Sequence, residues 1–134
     1  MQFEASFLTG EALRALDLHR EALVPLEVAA ALRPGDLSVA MALGWCYKRT
    51  HRLAQAIDAL ERAAAENPAE PLVHYNLACY WSLAGDPAKS LRALAGALEL
   101  DPQLRDQIAR EPDFDPIRGE ADFGRVVAEK EPTA

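Results

Sequence analysis

Residues 37–70 read LSVAMALGWCYKRTHRLAQAIDALERAAAENPAE, and residues 71–104 read PLVHYNLACYWSLAGDPAKSLRALAGALELDPQL. Laid one over the other, Gly44 falls on Ala78, Tyr47 on Trp81, Ala56 on Ser90, Leu60 on Leu94, Ala63 on Ala97 and Pro68 on Pro102. An earlier copy keeps the same 34-residue step with Gly10, Leu13, Ala22, Leu26, Ala29 and Pro34. A fixed period of this length is one supersecondary unit repeated along the chain. Such units stack into a solenoid, because none buries its apolar face alone.

The unit itself reads as helix. Alanine and leucine abound while β-branched residues are scarce, which favours helix over strand. The pattern predicts helices near 3–15, 20–32, 37–50, 53–66, 71–84 and 87–100. Asp36 after Pro34-Gly35, and the pairs Asp86-Pro87 and Asp101-Pro102, are N-terminal capping signals. Gly85 supplies a left-handed residue that ends the preceding helix. Pro25 falls inside the second helix, where it removes a backbone hydrogen bond to Glu21 and is expected to kink the helix. The small residues at Gly10, Gly44, Ala78, Ala22 and Ala56 lie where two helices of a unit cross. Past Pro102 the period fails. Leu104, Ile108 and Ala109 suggest a short amphipathic helix, and Phe114, Ile117 and Phe123 are too apolar for a free tail.

These residues resemble the tetratricopeptide repeat, a 34-residue helix–turn–helix family with Leu-Gly, Tyr, Ala and Pro at set places. The second copy carries Leu43-Gly44, Tyr47, Ala56, Leu60 and Pro68; the third carries Leu77-Ala78, Trp81, Ser90, Leu94 and Pro102. The resemblance implies an all-α, right-handed superhelical α-solenoid of antiparallel helix pairs with a C-terminal capping helix. It divides the chain into a repeat region over 1–110 and a capping segment over 111–128. The repeats are 3–36, 37–70 and 71–104, followed by the start of the cap helix. Residues 129–134 are expected to be a disordered tail.

Composition narrows function by exclusion. The chain of 134 residues has a formal net charge of −7, with seven acids and three bases in residues 111–134. That balance argues against nucleic-acid and anionic-membrane partners, which recruit Lys and Arg. The N-terminus has no basic start followed by an apolar run, and no window reaches the length of a membrane span. A cytoplasmic protein is the expectation. Cys46 and Cys79 sit in helical patterns and lack metal-ligand spacing, as do His19, His51 and His74. No phosphate-cradling glycine loop and no catalytic constellation is present, so neither enzyme activity nor a cofactor is expected.

At about 100° per residue, the first helix of each repeat turns one set of positions toward its partner helix and another toward a concave groove. The groove set is Glu4, Phe7, Glu11 and Arg14, then Ser38, Met41, Trp45 and Lys48, then Leu72, Tyr75, Cys79 and Ser82, with Arg49 and Asn76 at its margin. Its aromatic and apolar members form a stripe that repeat packing does not require. Arg14, Lys48, Arg49 and Asn76 are placed to hold the backbone or carboxylate of a bound segment. The expected function is a non-catalytic adaptor or scaffold binding a protein or peptide segment in that groove. Competing readings are a self-associating homo-oligomeric element, or a regulatory domain of a larger assembly whose groove its own C-terminal segment fills.

Overall fold

In the computed structural model, which describes residues 2–128, the chain is helical throughout. The helices are α1 (Phe3–Ala15), α2 (His19–Leu32), α3 (Leu37–Arg49), α4 (Leu53–Glu66), α5 (Pro71–Leu83) and α6 (Pro87–Leu100). A 3₁₀ turn (Pro102–Leu104), the single-turn α7 (Arg105–Ile108), a second 3₁₀ segment (Pro112–Ile117) and α8 (Ala121–Val127) complete it. No strand occurs among the described residues, and no helix is long and apolar enough to cross a membrane. The expected tail over 129–134 lies outside the described residues.

The chain divides between Ala69 and Glu70 into two compact units. In the first, α1 packs on α2, α3 on α4, and α2 also lies against α3. In the second, α5 packs on α6, the Pro112–Ile117 segment packs on α5, and α8 packs on α6.

Each hairpin is built by the same bonds in the same register. After α1, α3 and α5 the backbone N–H of Leu18, Arg52 and Asp86 donates to the carbonyl of Leu13, Tyr47 and Trp81, at 2.9, 2.7 and 3.0 Å. The residue just before each donor is left-handed: Asp17 and His51 at φ 61°, Gly85 at φ 80°. These closures satisfy carbonyls that a helix end would otherwise orphan. Asp36 and Asp86 cap α3 and α6 by accepting from the N–H of Val39 and Lys89, both at 3.1 Å.

The buried positions keep the period too. Ala22, Ala56 and Ser90 are fully buried, as are Leu26, Leu60 and Leu94, and Ala29, Ala63 and Ala97. A Cβ added at Gly10 would come within 2.5 Å of the Leu26 side chain, so the α1–α2 crossing has no room for one. Ser90 fits its crossing by donating its hydroxyl to the Ala78 carbonyl at 2.7 Å. Pro25 lies inside α2, which continues as helix on both sides of it. Its lost hydrogen bond is offset by the burial of Ala22, Leu23, Leu26 and Ala29 on the same helix.

Leu60→Ala is expected to lower stability by about 2–5 kcal/mol through the cavity it leaves. His51→Gly is expected to raise it by about 1 kcal/mol by relieving the left-handed backbone. Denaturant melts of both variants check these values.

Candidate functional site

Taken in chain order, the expected groove residues meet two different fates. In the first unit, Phe7 on α1 and Met41, Trp45 and Lys48 on α3 are half-buried, while Arg49 is exposed. Phe7 stacks on Phe3 with ring centroids 6.0 Å apart. The Arg49 guanidinium and the Lys48 ammonium lie 4.4 and 5.4 Å from the centroid of the Trp45 ring. Cations over an indole face hold the ring in place. Arg14 is already engaged: its Nε and Nη2 donate to the Glu11 carboxylate at 2.9 and 3.0 Å. A partner carboxylate arriving at Arg14 would have to compete with Glu11. Beside this pair Cys46 is buried, and burial pushes its thiol upward, against the pull of Arg14.

In the second unit, α5 presents Leu72, which is exposed, and Asn76, which is half-buried. Tyr75, Cys79 and Ser82, expected to line an open groove, are instead buried. The Tyr75 ring takes the edge of Phe114 at a centroid distance of 5.7 Å, and Phe114 in turn meets Phe123 at 6.4 Å. Cys79 Sγ and carboxylate oxygens of Glu111 and Asp113 all lie within 4.8 Å of one another. The chain's own C-terminal segment therefore occupies the face of α5 that the repeat pattern assigned to a partner.

Arg118 fastens the segment. Its Nη2 donates to the carbonyls of Ile108 and Glu111 at 2.9 and 2.7 Å, its Nε donates to Asp115 at 2.8 Å, and its guanidinium lies 5.7 Å from the centroid of Phe123. Arg105 fastens the far end, donating to the carbonyls of Val127 and Ala128 at 2.6 and 3.2 Å. Phe114, Ile117 and Phe123 are all buried. Their apolar character was the sequence signal for a docked segment. Where it docks was not legible, because Tyr75 and Phe114 belong to no common period.

Two phenols, one in each unit, are shifted by burial. Burial, followed by the hydrogen bond to Glu27, pushes the Tyr47 hydroxyl up to about 12. Burial, followed by the neighbouring Cys79, Glu111 and Asp113, raises Tyr75 well above the ordinary phenol range. Folding favours the neutral phenols. Their contribution is complete below pH 10, the ordinary phenol value, and is lost as pH climbs toward about 12. Alkaline titration is expected to unfold the chain in that window, and Tyr47→Phe to weaken the dependence. Phe114→Ala is expected to cost about 3–5 kcal/mol and to speed proteolytic cleavage after Arg110 and Arg118.

No family model matches the chain, and no curated protein matches its sequence. Solved structures do share its fold. SycD, the type III secretion translocator chaperone of Yersinia enterocolitica, superposes with a TM-score of 0.71 at 20% identity, over 81% of this chain and 84% of that one. MamA from Desulfovibrio magneticus RS-1 gives 0.71 at 22% identity, over 93% and 73% of the two chains. A MamA of strain MSR-1 gives 0.69 at 21% identity, over 87% and 75%. These likenesses show the fold: the chain is an all-α helical repeat.

Proposed function

We propose that this chain is a cytoplasmic, non-catalytic adaptor of the tetratricopeptide type, built from three repeats and a C-terminal cap, that binds an extended or helical segment of another protein. The observation that carries the reading is the half-buried Trp45, framed by Lys48 and Arg49 on a helical-repeat scaffold. Aromatic side chains flanked by cations are frequent hot spots, because a partner side chain gains apolar area and a charge-assisted bond at one place. Phe7, Met41, Trp45, Lys48 and Arg49 form the contact set in the first unit, with Glu11 and Arg14 as a polar margin. Leu72 and Asn76 are the contact residues of α5. One similar structure is of a chaperone, and its description as an alternative dimer lends support to a protein partner, including a second copy.

A second reading has its own observation. The C-terminal segment over Tyr75 and Cys79 holds part of the expected groove closed, so a partner reaches those two residues only when that segment leaves. Under this reading the chain is regulated by its own end, as a domain of a larger assembly.

Peptides selected on the full chain by display, then measured by calorimetry, separate the readings. Trp45→Ala is expected to lose about 2 kcal/mol of binding, roughly thirty-fold in affinity, with an unchanged melt. Equal affinity in parent and variant contradicts the adaptor reading. Tighter binding by Phe114→Ala supports closure by the C-terminal segment.

A further inference from the structure

We infer that the first unit holds a second binding site, for an arginine or lysine side chain presented by a protein partner, in the cavity between α2, α3 and α4. The cavity measures about 270 Å³. That is room for the stem and head of one long side chain. None of the groove residues named above lines it, so it stands apart from the proposed groove.

Its chemistry selects a cation on an apolar stem. Ala30, Val39, Leu43 and Ala59 line it with small apolar groups, which an aliphatic stem covers without leaving a polar atom unpaired. Its charged residues are Glu27, Asp36 and Asp58 against Arg33 and Arg62. Both arginines already have acids. Arg33 donates to Glu4 at 3.0 Å and lies 3.9 Å from the centroid of the Phe3 ring, and Arg62 pairs with Asp58 at 3.3 Å. Asp36 accepts from the Val39 N–H as a helix cap.

Glu27 differs from these. Its Oε1 accepts the Tyr47 hydroxyl at 2.8 Å, and that donor is neutral. The hydroxyl aims the carboxylate without cancelling its charge, and Glu27 is exposed while Tyr47 is buried. A guanidinium or ammonium arriving at Glu27 makes a charge-assisted bond to an oriented carboxylate. An anion there meets an excess of acid, and an uncharged side chain leaves Glu27 without a counter-ion.

The test is a titration of the isotope-labelled full chain, followed by NMR, with Nα-acetyl-arginine amide and its uncharged isostere Nα-acetyl-citrulline amide. The arginine probe is expected to shift signals of Ala30, Tyr47 and Ala59 saturably, and the citrulline probe to bind about tenfold more weakly. Glu27→Gln, at an exposed position and with its melt unchanged, is expected to weaken the arginine probe about tenfold, while Trp45→Ala leaves it untouched. A pentapeptide with arginine between glycines is expected to bind at least as well as the amide. Equal binding of the two amides, undiminished binding by Glu27→Gln, or shifts centred on Trp45 would each overturn the proposal. A pentapeptide much weaker than the amide would overturn the assignment to a protein-borne side chain.

Discussion

The closeness with which paired helices cross sets the terms for this chain. The six repeat helices are 13 or 14 residues long, too short to be stable alone in water. They persist because Ala22, Ala56 and Ser90 let one backbone approach another. That approach lets Leu26, Leu60 and Leu94 be fully buried. Side chains of greater bulk at the crossings would hold the helices apart and expose those leucines. The left-handed residues at Asp17, His51 and Gly85 serve the same end by turning the chain back sharply enough for the pair to meet.

With the inner faces fixed in this way, the outer positions of the first helices are left to vary, and there the units diverge. Trp45 and Cys79 occupy the same place in their repeats. The first is a half-buried indole under two cations; the second is a buried thiol beside Glu111 and Asp113. One scaffold position thus serves recognition in the proposed reading and closure by the chain's own end in the observed packing. Arg118 binds Ile108, Glu111 and Asp115 at once, so directional bonds brace the C-terminal segment internally while Phe114 packs it on Tyr75.

The helices were legible in the sequence to within a residue at most ends, because apolar periodicity, capping acids and proline all agree at 36–37, 86–87 and 101–102. Gly85 announced its left-handed turn. Asp17 and His51 did not, since neither residue type by itself signals a positive φ, and only alignment by 34 places them. At Pro25 the helix continues despite the lost backbone hydrogen bond, with Ala22, Leu23, Leu26 and Ala29 buried around it. The expected contact face was legible only in part. Helical geometry puts Tyr75, Cys79 and Ser82 on one face, but what covers that face lies more than thirty residues further on, outside the repeat. Arg14 is paired with Glu11, three residues earlier, as helix spacing allows.

Thiol alkylation read by mass spectrometry tests the two fates of the repeat face most directly, since the chain has two cysteines. The packing predicts that native Cys79 reacts far more slowly than in denaturant. It also predicts that Phe114→Ala exposes Cys79 while Cys46 stays shielded. Cys79 labelled in the native chain as fast as in urea, or both thiols released together by Phe114→Ala, would contradict it.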